Sequence, residues 1–195
     1  MGVGVWPCGW HVCLTILILN EEFMTIIIGI DPGSRMTGYG IIEKIGSKCR
    51  FIDAGTIRTE SDDMPIRLKR IYEGLKRIID FYQPTEASVE KVFLAHNVDT
   101  ALKLGQARGA AVTALVMHDI TVYEYTARQI KQSVVGFGAA EKEQVQMMVT
   151  RLLSIPVIPQ ADAADALAGA LCHAYTSQTL LKLNAVALRT TRIKK

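Results

Sequence analysis

Four carboxylates in this chain stand where carboxylates are costly. Asp31 closes a run of Thr, Ile and Gly that starts at Thr25, and Glu90 interrupts an apolar segment between Val89 and Val92. Asp162 and Asp165 lie three residues apart at the start of an Ala-rich stretch, so on a helix both project from one face. A carboxylate taken out of water costs several kcal/mol unless it is paired, protonated or bound to a cation. Four of them on three separate segments therefore predict convergence on cations. Oxygen-only ligands with no nearby His or Cys suit Mg²⁺ or Mn²⁺ rather than zinc. Two such ions about 3.5–4 Å apart are a recurrent device for in-line phosphodiester hydrolysis. Three of the four also have local explanations. Asp31 before Pro32-Gly33 suits a turn, Asp162 suits a helix N-cap, and Asp165 suits a first helical turn. Glu90 has the weakest local reason to be where it is, and the combination says more than any member.

The elements that must carry these groups follow from periodicity. Thr25–Asp31 is a β-branched run expected to form a strand buried on both faces. Gly38–Glu43 and Arg50–Ile57 predict two more strands, joined by a turn at Gly46-Ser47 too short for anything but antiparallel pairing. From Pro65 the period changes: Leu68, Ile71, Tyr72, Leu75, Ile78, Ile79 and Tyr82 mark one face of an amphipathic helix that ends at Gln83-Pro84. Ala87–Phe93 predicts a fourth strand, Thr100–Met117 a helix rich in small residues, and Ile120–Tyr125 a fifth strand. Shorter helices are expected near 127–134, 141–154 and 162–177. The fold class is α/β.

A chain of 195 residues with 49% hydrophobic and 21% charged residues can bury a core as one domain, without disulfide or zinc staples. Collagenous, coiled-coil and disulfide-scaffold classes are excluded. Cys8, Cys13, Cys49 and Cys172 form no CxxC pair and no zinc-finger spacing with His, so reduced thiols in a cytoplasmic protein are expected. Val12–Leu19 is too short to span a bilayer, and no Lys or Arg precedes Arg35, which argues against a signal peptide and a membrane role. Residues 1–23 are expected to be a non-native or disordered extension, with an extra strand at Leu14–Leu19 as the alternative. Residues 24–178 then form the domain, and 179–195 a basic tail holding Lys182, Arg189, Arg192, Lys194 and Lys195. The net charge of +3 hides that asymmetry: outside the tail there are 17 basic residues against 19 acidic ones. Such a tail suits nucleic acid or acidic lipid, or is a solvated terminus.

Five ordered blocks carry a family resemblance. Ile28-Gly-Ile-Asp-Pro-Gly-Ser34 with Thr37-Gly-Tyr-Gly40, Val89-Glu-Lys-Val-Phe93, Ala101-Leu-Lys-Leu-Gly-Gln-Ala-Arg-Gly109, Arg128-Gln-Ile-Lys-Gln132 and Gln160-Ala-Asp-Ala-Ala-Asp-Ala166 resemble the RuvC family of crossover-junction endodeoxyribonucleases. The match runs from about Met24 to Tyr175. It implies a ribonuclease-H-like fold, a five-stranded mixed sheet flanked by α-helices. It implies that Asp31, Glu90, Asp162 and Asp165 are catalytic metal-binding acids holding two Mg²⁺ per subunit, with Mn²⁺ able to substitute. Lys131 and Lys142 match family lysines near the scissile phosphate and DNA backbone, and Phe93 matches an aromatic residue that meets bases at the crossover. The bland alternatives are solvated helix faces for the lysines and a core position for Phe93.

The resemblance further implies a homodimer that resolves four-way junction DNA by paired nicks and works with the RuvA and RuvB branch-migration complex. Two rival readings stay open on the residues alone. An actin-like ATPase or sugar kinase shares an Ile-Gly-Ile-Asp-x-Gly phosphate loop, but requires a second similar half. A junction-clamping protein without catalysis would lack one or more of the acids.

Overall fold

The computed structural model describes residues 24–91 and 97–193, with side chains through Leu180. The β-branched run forms strand β1 (Met24–Asp31), with Ile27, Ile28 and Ile30 almost fully buried. It pairs antiparallel with β2 (Met36–Ile45), which pairs antiparallel with β3 (Lys48–Arg58). On its other side β1 runs parallel to β4 (Glu86–Lys91), and β4 parallel to β5 (Thr121–Thr126). The sheet order is β3-β2-β1-β4-β5, the five-stranded mixed sheet expected. β1 thus lies at the centre, where a strand needs apolar residues on both faces.

Helices α1 (Met64–Tyr82) and α2 (Val98–Val116) cover one face, closing a core around Ile28, Ile41, Ile71, Leu75, Val89 and Leu115. Pro65 sits in the first turn of α1, and Gln83 ends it in the left-handed conformation. Helices α3 (Ala127–Val135), α4 (Lys142–Leu152) and α5 (Ala161–Ile193) cover the other face. α5 continues well past the end expected near residue 177. No Gly or Pro follows Gly169, so the chain offers no stop signal there. The expected basic tail concerns side chains outside those described, as do residues 1–23 and the strand considered at Leu14–Leu19.

α5 crosses the sheet close to its surface. A Cβ on Gly29 would overlap the Ala166 carbonyl, one on Gly38 the Asp162 carbonyl, and one on Gly40 the Leu167 side chain. These glycines, facing Ala163, Ala166 and Ala170, allow near backbone-to-backbone contact. The middle of α5 is fastened by buried His173. It accepts from Tyr125 Oη at Nδ1 (2.8 Å) and donates from Nε2 to Glu86 (2.8 Å).

Candidate metal centre

Strand register brings the first two acids together. Ile30 pairs with Val89 across the parallel β1–β4 ladder, so continuing that register sets Asp31 beside Glu90 at the carboxyl ends of both strands. Asp31 also pairs with Gly38 on β2. The missing Cβ of Gly38 leaves room for the Asp162 carbonyl, and this close approach brings the first turn of α5 over the end of β1. Asp165 follows one turn later.

A cavity of about 270 Å³ opens there, walled by Asp31, Glu90, Asp165, Lys131, Lys142 and Val145. Asp162 stands outside the wall, yet its charge acts on both Asp31 and Asp165. A larger cavity of about 470 Å³, beside Tyr125, Arg128, Gln132 and Cys172, has no acid in its wall.

The electrostatics of the acidic cavity are those of crowded, partly desolvated carboxylates. Burial, then the neighbouring charges of Glu90, Asp165 and Asp162, push the Asp31 carboxyl up to about 7, with Lys142 opposing. Burial first, and Asp165 second, raise Glu90. Asp165 is raised mainly by burial and restrained by Lys142, whose Nζ lies 3.6 Å from its Oδ2. Lys131 acts on Glu90 and Asp165 in the same sense.

Among the described residues no three His, Cys, Asp or Glu groups form a ready-made metal cage. The donor set nevertheless fits a hard divalent ion. It offers carboxylate oxygens alone, raised in proton affinity by one another, and one of them already draws in the Lys142 ammonium. The two lysines on α3 and α4, which the family resemblance set near the DNA backbone and the residues alone left as helix-face charges, face the acids. Phe93 lies outside the described residues.

Sequence reasoning missed the role of the glycines. The signal was present in the Gly38-Tyr-Gly40 alternation, since residues two apart on a strand share a face. Gly38→Val is expected to lever the α5 N-terminus off the sheet, because its Cβ meets backbone that no rotamer change can move. Overpacking of this kind costs about 1–3 kcal/mol. A lower melting temperature together with a weakened response of that melting to Mg²⁺ would confirm it, and unchanged values of both would refute it.

Comparison with known proteins gives concordant findings. The family model described as "Crossover junction endodeoxyribonuclease RuvC" matches residues 27–173. A crossover junction endodeoxyribonuclease RuvC of Acinetobacter baumannii is 71% identical over 160 residues, covering 82% of this chain and 88% of that protein. A Psychrobacter protein of the same name is 62% identical over 165 residues, covering 82% and 85%. Among solved structures, T. thermophilus RuvC in complex with a Holliday junction substrate aligns with a TM-score of 0.74 at 32% identity, over 80% of this chain and 96% of that one.

Proposed function

The chain belongs to the RuvC family of crossover junction endodeoxyribonucleases, and from that membership and the acidic cleft we propose a Mg²⁺-dependent nuclease that resolves four-way DNA junctions by paired nicks. The observation that carries the site is the convergence of acids from β1, β4 and α5 on one cleft flanked by two lysines. Asp31, central among the acids, would hold two Mg²⁺ ions together with Glu90, Asp162 and Asp165, and Mn²⁺ would substitute. When bound, such ions supply an activated water and offset charge on the phosphate.

The remaining work falls to the chain itself. β1 and α5 orient the carboxylates, and their rigid packing keeps the donors from reorganising as the phosphate enters. Lys142, freed from Asp165 when cations take its place, would donate to a phosphate oxygen and offset charge developing in the transition state; Lys131 stands on the same side. The products are a 5′-phosphate and a 3′-hydroxyl, a nick that can be resealed. Phe93 is proposed to meet bases at the crossover. The partners in this reading are the RuvA–RuvB complex and a second copy of the chain, with action in the cytoplasm. Among the described residues no helix is long and apolar enough to cross a membrane.

Support for the second copy comes from α2. Val98, Leu102 and Val116 are 75%, 63% and 51% exposed, and a Cβ on Gly105 or Gly109 would meet nothing within 4 Å. These positions fall at steps of four, three, four and seven along one helical edge, opposite the buried Ala107, Ala111 and Ala114. An apolar seam with glycines at its middle suits close packing against a symmetry-related helix.

Incubation with a synthetic mobile four-way junction and Mg²⁺, with products resolved on a denaturing gel, tests the proposal. Discrete nicks in opposite strands, abolished by a chelator, are expected. Nucleotide hydrolysis without nicking would restore the phosphate-loop reading, and binding without nicking the clamp. Lys142→Ala is expected to slow single-turnover cleavage by about 10²-fold, while junction binding weakens only a few-fold. A variant cutting at the wild-type rate would remove Lys142 from the chemistry.

A further inference from the structure

The face that bears the acids carries cations on both sides of them. Lys131 and Lys142 flank them on the α3–α4 side. Across the sheet, the antiparallel register pairs Asp31 with Gly38, Gly38 with Thr56, and Met36 with Arg58. Gly38 faces α5, as the near-contact with the Asp162 carbonyl requires, so its partner Thr56 does too. Arg58, two residues further along β3, therefore leaves the strand on the catalytic face. From strand spacing it sits about 10 Å to the side of Asp31 and about 7 Å further along. It is exposed, and among the described residues it forms no salt bridge.

The backbone beside it is built to stay in place. The buried Thr59 hydroxyl donates to the carbonyls of Ser34 and Arg35, both at 3.2 Å, and its N–H donates to the Arg35 carbonyl. The buried Thr37 hydroxyl donates to the Gly33 carbonyl at 2.9 Å. Arg70 donates to the Thr59 carbonyl, and Arg67, 5% exposed, holds the Ser61 carbonyl at 2.5 Å. Thr59 thus ties the segment after β3 to the segment after Asp31, Thr37 closes the latter on itself, and two guanidinium groups of α1 hold the segment after β3 from the other side. On this rim, among the described residues, Arg35 is paired only with Asp62, at 3.5 Å between largely exposed side chains. Such a pair is worth little in water and exchanges readily for a phosphate. Between the rim and α5, the Thr56 hydroxyl donates to Gln160 at 3.4 Å.

We infer that Arg58, assisted by Arg35, binds backbone phosphates of the cleaved DNA strand on the β3 side of the acidic cleft. The strand then runs across the sheet ends, held by Arg58 on one side of the scissile phosphate and by the lysines on the other. This role is positioning: it fixes the register of the phosphate over the acids and touches no reacting atom. It rests on the nuclease reading above and adds a residue to it.

The test uses the full chain, a synthetic four-way junction, and binding followed by fluorescence anisotropy in EDTA over a series of KCl concentrations. Arg58→Glu is expected to weaken binding about tenfold and to reduce the slope of log K against log salt by about one. Arg58→Gln should show a smaller loss in the same direction, and Arg58→Lys should retain most of the affinity. Arg77→Glu makes the same charge change on exposed α1, on the opposite face, and should shift binding less than threefold. In single-turnover cleavage with Mg²⁺, Arg58→Gln should raise the half-saturating protein concentration and leave the maximal rate within a few-fold of wild type. Melting temperatures should match wild type throughout. Wild-type affinity and salt slope in Arg58→Glu would overturn the inference, as would an equal loss in Arg77→Glu, which would mean diffuse charge. If the wild-type protein itself neither binds nor nicks the junction, the nuclease reading fails instead, so the two failures are distinguishable.

Discussion

Replacing Asp31 by Asn is expected to abolish junction cleavage while making the metal-free protein more stable. The loss of activity should be at least about 10³-fold, as for other residues that act as one catalytic unit. Junction binding should survive, because it rests on basic contacts to phosphates. The gain in stability follows from crowding of the acids. Asp31 has a folded pKa near 7 against an ordinary 3.8. Between those values the folded chain keeps a proton that the unfolded chain has lost, so stability falls as pH rises through this window. Above pH 7 the penalty is complete. At about 1.4 kcal/mol for each tenfold change in proton affinity it is capped near 4 kcal/mol. Acids that relax apart lose part of it, leaving a gain of about 1–2 kcal/mol for Asn, or a melting temperature higher by about 2–8 °C for a domain of this size. The advantage should shrink as pH falls toward 3.8 and vanish well below it, where both states hold the proton. Melting curves at pH 4, 6 and 8 in EDTA measure it. A variant less stable than wild type at pH 8 would mean that Asp31 is not crowded. Mg²⁺ should raise the wild-type melting temperature and do so much less for Asn, since a ligand stabilises only the state that binds it.

Mixing wild-type chains with an excess of Asp31→Asn chains should convert resolution into single nicking. One acidic cluster hydrolyses one phosphodiester, yet separating a junction into two duplexes needs two cuts. A two-fold dimer supplies two clusters related by the symmetry of the open junction. A supercoiled cruciform plasmid reports the difference: the wild type should give mainly linear product, and the mixture mainly nicked circle. Mainly linear product from the mixture, or an active monomer by sedimentation at working concentration, would refute the dimer mechanism. Leu102→Glu on the outer edge of α2 provides a second route. It should yield monomers that keep their melting temperature within about 0.5 kcal/mol in stability terms, as surface changes do.

Much of this protein was legible before folding because certain residues are costly out of context. A carboxylate at the end of Thr25–Asp31 or within β4 demands a partner wherever the chain goes, so Asp31 and Glu90 stood out as candidates from sequence alone. The strands and α1 were equally plain, since periods of two and 3.6 are local properties of the chain. The short β1–β2 and β2–β3 connections dictated antiparallel pairing in the same way. Other features were decided only by the packing of distant segments. The position of Asp162 depends on how near α5 can come to β1 and β2. That depends on absent atoms at Gly29, Gly38 and Gly40, and an absence has no partner until the helix arrives. Apart from the family resemblance, local sequence marks Lys131 and Lys142 only as helix-face charges, and it is the packing of α3 and α4 that turns them toward Asp165 and Glu90. Arg58 became notable only when two strand registers in succession set it on the same face as Asp31. The chemistry of a residue is written in its type, but its neighbours across the sheet are set by register and close approach, and those exist only in the folded chain.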